Sequence, residues 1–228
     1  MFPEYLLLVI VPLLLGLWAQ MRVSSTYNKW AKVGSRSGMT GAEVANAVMR
    51  SAGIDGVDIV EIPGHLTDHY DAQNKRLALS SENYHGTSLA ALGVSAHESG
   101  HAIQDKEHYA ALNMRMQLVP VTNFASSLLP AILIGSIVLG FFGQKLIIAI
   151  VGIYLVLTVF QLVTMPVEFD ASRRALQRLQ GLGILTGDEM VGARAVLKAA
   201  AWTYVAAFIA SLGTLLYYLS LLSGNRRR

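Results

Sequence analysis

The sequence predicts an α+β fold of unequal parts: a mainly helical integral membrane protein with about four transmembrane helices and one small domain of mixed helix and strand. Three observations predict it. Of 228 residues, 53% are hydrophobic and 14% charged, where a soluble domain carries about 25% charged residues. Four uncharged stretches are long enough to cross a bilayer. Residues 22–115 are by contrast polar and patterned. The chain has no cysteine, which excludes disulfides, thiolate metal sites and a cysteine nucleophile. The net charge is only +3, and its basic residues flank apolar segments, so they read as topology signals and no nucleic-acid partner is expected.

The first span, in an N-terminal anchor at 1–21, lies between Glu4 and Arg22. No Lys or Arg precedes it and no A-x-A-like site precedes Arg22, so it reads as an uncleaved anchor. Within 22–115, Thr40 and Glu43 fit a capping box that opens a helix through Val44 and Val48, ending near Gly53. Val57 to Ile62 suggest a strand stopped by Pro63 and Gly64. His69 to Asp71 and Arg76 to Ser80 flank Ala72 to Lys75 as a hairpin does. The second of these strands offers an edge for an extended peptide. Leu89, Leu92, Gly93 and Ala96 recur at helical spacing and predict a helix over about 87–104.

Residues 116–167 form an expected transmembrane hairpin, with Gly143, Gln144 and Lys145 at its tip. Pro120 falls near its entry, and Pro130 is placed to kink the second span. Residues 168–198 are expected as a helix outside the membrane, and 199–228 as the last span with a basic tail, Arg226 to Arg228. Ala199 to Ala201 and Ser211 to Thr214 are small and fairly polar, so this span starts late or packs against protein. Arg22, Lys29, Lys32, Arg115, Arg173, Arg174 and Lys198 all fall on one side of this four-span topology. The positive-inside rule makes that side, with 22–115 and 168–198, cytoplasmic. The three terminal arginines are counter-evidence.

The predicted helix over 87–104 contains His97-Glu98-Ser99-Gly100-His101, the pattern H-E-x-x-H. Positions i and i+4 stack on one helix face, so both imidazoles can meet one Zn²⁺. Glu98 is then placed as general base, taking a proton from water at the metal. The plain alternative is a pair of surface histidines on an amphipathic helix. A catalytic zinc needs a third protein ligand and an open position. His65, His69, His85 and His108 have no telling spacing, and the longer H-E-x-x-H-x-x-G-x-x-H pattern fails at Gln104 and Glu107. Glu168, an acidic residue at the end of an apolar span, is the better candidate. Its alternative is an ordinary carboxylate at a helix N-terminus. Asp170 either orients a zinc-bound imidazole or pairs with Arg173 or Arg174. Two imidazoles and a carboxylate suit zinc, one ion per chain, though cobalt and manganese fit the same donors.

These blocks carry a resemblance to the YugP-type membrane zinc metallopeptidases of bacteria. It rests on Tyr27, Asn28, Lys29 and Trp30 after the first span, on Ala96 to Gln104, on the apolar hairpin, and on Val167 to Leu176. More distantly the chain is similar to the HtpX and CAAX-prenyl-protease group, with an H-E-x-x-H helix and a third Glu ligand opening a later E-x-x-A-D segment. The resemblance implies that His97, His101 and Glu168 bind zinc in a small cytoplasmic zincin-like catalytic domain, with Glu98 as base. Ala171 matches the second pattern, but Ser172 stands where that group has Asp. The implied activity is a zinc metalloendopeptidase of the bacterial inner membrane. Its expected substrates are membrane or membrane-associated proteins cut at the cytoplasmic face. Tyr84, His85, His108 and Arg173 are candidate oxyanion stabilisers. Competing readings are a non-proteolytic zinc scaffold, a site-2-type intramembrane protease and a small transporter. The second is disfavoured because Ser95, Glu98, Gln104 and Asp105 put the motif outside every long apolar run. The third is disfavoured because the spans hold almost no ionisable residue.

Overall fold

The computed structural model describes residues 2–138, 140 and 143–225. Met1, residues 139, 141 and 142, and the basic tail Arg226 to Arg228 lie outside the described residues. The elements are α1 (Phe2–Tyr5), a π-helical stretch Leu6–Ile10, α2 (Val11–Trp30), α3 (Gly41–Ser51), β1 (Asp58–Ile62), β2 (His69–Asp71), β3 (Arg76–Ser80), α4 (Ser81–Tyr84), α5 (Leu89–Lys106), α6 (Ala110–Val138), α7 (Gln144–Gly181) and α8 (Glu189–Asn225). Among the described residues, four helices are long and apolar enough to cross a membrane: Pro3–Trp30, Ala110–Val138, Gln144–Gly181 and Glu189–Ser223. At about 1.5 Å per residue each exceeds the roughly 30 Å hydrocarbon core.

The chain divides into two compact units. The first comprises Met1–Ala19, Asn113–Met165 and Thr203–Arg228. Leu7, Phe124, Ile137 and Val138 are each at least 65% exposed in it, which suits lipid and not water. Gly213 of α8 lies against the backbone of Leu8, where a Cβ would stand 2.2 Å from the Leu8 carbonyl oxygen. Gly213 therefore serves close helix packing, as small residues do in bilayers. Tyr154 and Tyr218 stack in the same unit at 6.2 Å.

The second unit comprises Gln20–Leu112 and Pro166–Trp202. Helix α3 opens on the expected capping box: Thr40 Oγ1 accepts from Glu43 N–H at 3.3 Å, and Thr40 N–H donates to Glu43 Oε2 at 2.8 Å. Its Val44 and Val48 belong to one buried core cluster with Leu92 and Ile103 of α5, Leu179 of α7 and Leu197 of α8. Ala45 and Met49 belong to a second cluster with Leu77 and Leu79 of β3 and Ala102 of α5. Helix α5 is thus packed on several sides, and 14 of its 18 residues are buried. A helix enclosed in this way is held by its surroundings rather than by one amphipathic face.

The sheet order is β1-β3-β2, with β1 parallel and β2 antiparallel to β3. Asp71 closes the β2–β3 turn by accepting from the backbone N–H of Gln73 and Asn74 at 2.9 and 3.0 Å. The expectation that β3 is a free edge is corrected: β3 is the central strand, paired on both sides, with Leu77 to Ser80 all buried.

The stretch 168–198 is also not one helix. Helix α7 continues unbroken to Gly181, a turn follows with Gly183 at φ +66°, and α8 begins at Glu189. Val167 to Leu179 holds no helix breaker, and Asp170 pairs with Arg173 and Arg174 at helical spacing. Glu168 therefore sits inside a helix, and its reading as a helix N-terminal carboxylate is overturned.

Candidate metal centre

Ser88 caps α5, its side chain accepting from Ala91 N–H at 3.2 Å. From there the helix places His97 and His101 one turn apart, with ring centroids 4.8 Å from each other. Glu168 of α7 meets both: its Oε2 lies 3.2 Å from His97 Nε2 and 3.5 Å from His101 Nε2. One ligand atom from each of the three falls within 4.8 Å of the others. Glu168 is only 2% exposed and His101 8%. Gly100 permits the approach, since a Cβ there would stand 2.6 Å from the Ala171 carbonyl oxygen of α7. Behind it, Ser99 donates its hydroxyl to the Ser95 carbonyl at 2.8 Å and lies 3.4 Å from the Ala45 carbonyl of α3.

The donors fit zinc. Bonds of about 2.0–2.1 Å in tetrahedral geometry set ligand atoms roughly 3.3–3.4 Å apart, and the distances from Glu168 Oε2 to the two imidazoles, 3.2 and 3.5 Å, bracket that. Burial alone pulls the His101 pKa down. The hydrogen bond to Glu168 and the charges of Glu168 and Glu98 outweigh it and leave it raised. Glu98 is 8% exposed and makes no hydrogen bond or ion pair among the described residues.

The far side of each imidazole is also engaged. His97 Nδ1 lies 3.1 Å from Ser172 Oγ. His101 Nδ1 lies 3.0 Å from Gln104 Oε1. Asp170 touches neither ring: it pairs with Arg173 and Arg174 and receives Gln104 Nε2 at 2.9 Å. Of the two sequence readings of Asp170, the pairing with Arg173 and Arg174 is the one the structure shows. Arg174 continues outward to Glu107 at 2.6 Å.

The other candidates are engaged elsewhere. His65 pairs with Glu82, His85 with Glu61 at 3.1 Å, and His69 with the Thr67 carbonyl at 2.9 Å. Tyr84 packs edge-on against His85 at 4.9 Å, and Arg173 is held by Asp170 and Gln177. His108 follows α5 in the left-handed region at φ 53°. Sequence reasoning missed Gln104 and Gly100 as parts of the site. The available signal was their phase on α5, since Gln104 lies one turn beyond His101 on the same face.

No solved structure matches this chain. The "Putative membrane protease YugP" of Bacillus subtilis (strain 168) is 40% identical to it over 225 residues, 97% of this chain and 98% of that protein. Residues 5–223 match the family described as "Putative neutral zinc metallopeptidase". With that match spanning nearly the whole sequence, and a three-donor site that suits zinc buried between α5 and α7, the chain belongs to this zinc metallopeptidase family.

Proposed function

We propose that this protein is a membrane-bound zinc metalloendopeptidase in which His97, His101 and Glu168 hold one zinc ion and Glu98 is the general base. The observation that carries the reading is the state of Glu98. It is a nearly buried carboxylate with no hydrogen-bond or ion-pair partner among the described residues, between two residues of the donor cluster in sequence. A carboxylate kept free of ion pairs is available for proton transfer. Zinc would supply Lewis acidity, polarising a peptide carbonyl and making water a better acid. Glu98 takes the proton from the attacking water as the carbon–oxygen bond forms. It then passes that proton to the leaving amine nitrogen as the carbon–nitrogen bond breaks.

The same reading places the site at the cytoplasmic face of a bacterial inner membrane, acting on membrane or membrane-associated proteins. Arg22, Lys29, Lys32, Arg173, Arg174 and Lys198, all on one side of a four-span topology, support it. Because the chain lacks cysteine, a single cysteine placed at exposed Gln73 tests the orientation by labelling in intact cells. Labelling by a membrane-impermeant maleimide from outside would overturn the cytoplasmic placement.

The catalytic test compares casein cleavage by purified wild type and Glu98→Gln in the presence of zinc. Cleavage by wild type alone is expected. Equal cleavage by both removes Glu98 from the mechanism. Zinc bound by both without cleavage by either points to a selective protease or to a zinc-holding scaffold.

A further inference from the structure

We propose that Gln104 is the positioning residue that holds His101 with Nδ1 protonated and the Nε2 lone pair presented to zinc. This rests on the reading that His97, His101 and Glu168 bind the metal.

Gln104 is fully buried, at 0% exposure, in the turn of α5 that follows His101. Its amide has two N–H donors on one side and a carbonyl acceptor on the other. Two groups face the nitrogen: the Val167 carbonyl oxygen at 2.8 Å and Asp170 Oδ2 at 2.9 Å. A backbone carbonyl only accepts. Asp170, clasped by Arg173 and Arg174, is an ionised carboxylate and also only accepts. These neighbours fix which end of the amide is the NH₂, an orientation that must come from the hydrogen-bond network. Both N–H groups are then used, and Oε1 faces His101 Nδ1 at 3.0 Å.

That oxygen can only accept, so His101 Nδ1 must carry hydrogen. Its Nε2 points toward Glu168 Oε2, 3.5 Å away. An imidazole protonated at Nδ1 is the tautomer that binds metal through Nε2. Two hydrogen bonds therefore run from the Asp170–Arg174 pair through Gln104 to the ring that carries the metal-facing nitrogen. The acceptor that touches His101 is a neutral amide, and the acidic residue acts at one remove. Because Val167 and Asp170 flank Glu168 on α7, the amide that orients one ligand is itself held by the helix that carries another.

Two variants of the full-length, detergent-purified protein separate this from a simple tie between helices. Gln104→Met keeps the length and loses the acceptor. Gln104→Glu keeps an acceptor for His101 and, with a proton shared between the new carboxyl and Asp170, one of the two donors. Zinc affinity is measured by competition with a chromophoric chelator, and the ligand field by the visible spectrum of the cobalt-substituted protein. The expected result is a loss of about 10–100-fold in zinc affinity for Gln104→Met, as for an outer partner of a metal-bound histidine. Gln104→Glu retains most of the affinity and a wild-type-like cobalt spectrum. Wild-type behaviour by Gln104→Met, or equal loss in both variants, overturns the assignment. Failure of the wild type itself to bind zinc or cobalt overturns the metal reading and this proposal with it, a result distinct from the first two. Should either variant not fold, nitrogen-15 histidine spectra of the zinc-loaded wild type decide: a protonated Nδ1 at His101 is expected, and a bare Nδ1 overturns the proposal.

Discussion

Glu168 in the interior of α7 sets its Oε2 3.2 Å from Nε2 of His97 in α5, across 71 positions of sequence. This contact joins the H-E-x-x-H helix to the helix that carries the third donor. Glu168→Gln keeps the shape and removes the charge. The expected result is a fall in zinc affinity larger than the about 10–100-fold of an outer partner, read by chelator competition, together with loss of peptidase activity.

Gly100→Ala tests the approach of the two helices. The added Cβ would meet the Ala171 carbonyl at 2.6 Å, and a backbone oxygen cannot rotate away. Alanine gains up to about 1 kcal/mol in helix propensity, while overpacking costs about 1–3 kcal/mol. The net expectation is a lower melting temperature and weaker zinc binding, measured on the same preparation.

Removing the metal should make stability depend on pH in a definite direction. Without zinc, the raised pKa of His101 means that protonation stabilises the folded state. That contribution is fully present below the ordinary histidine value of about 6.5 and is lost as pH rises through the raised folded value. Zinc needs the neutral imidazole, so acid weakens its binding. The difference in melting temperature between zinc-loaded and EDTA-treated protein should therefore widen as pH rises across that window. A constant difference would show that His101 is not a ligand.

Thr40→Ala tests the support behind α5. Loss of an N-cap costs about 1 kcal/mol, and α3 packs Val44 and Val48 into the core shared with α5. Backbone and side-chain hydrogen bonds from Thr40 hold the Glu43 carboxyl below its usual pKa. Its part of the cap is present above the ordinary carboxylate range and is lost as pH falls through the lowered value. Chemical denaturation at neutral and acidic pH should show a smaller difference between wild type and variant in acid.

Local signals were legible in the sequence. Thr40 and Glu43 mark α3, the turn at Ala72 to Lys75 joins β2 to β3, and the periodic helix with His97 and His101 is α5, because each depends on neighbours a few residues away. The resemblance pointed to the family, and the matches across residues 5–223 show it. Nonlocal relations were hidden. The alternation at Leu77 and Leu79 says that β3 is partly buried but not that β1 pairs on its other side. The change from apolar to charged residues near Glu168 marks a change of environment, whereas the backbone simply continues as helix. Gln104 looked like a failed position of a longer motif, since its role depends on Val167 and Asp170 in another helix.

The motif H-E-x-x-H leaves two letters free, and in this chain neither is. A bulkier side chain at 99 would invade the seam toward Ala45, and any side chain at 100 would invade the seam toward Ala171. Randomising both positions while keeping His97, Glu98 and His101 should return very few working sequences, concentrated on small residues at 99 and glycine at 100. The chemical signature is three residues long, but the sentence the fold can pronounce has five. Anyone grafting this helix into another scaffold must carry the two silent letters, or rebuild the surfaces that make them silent.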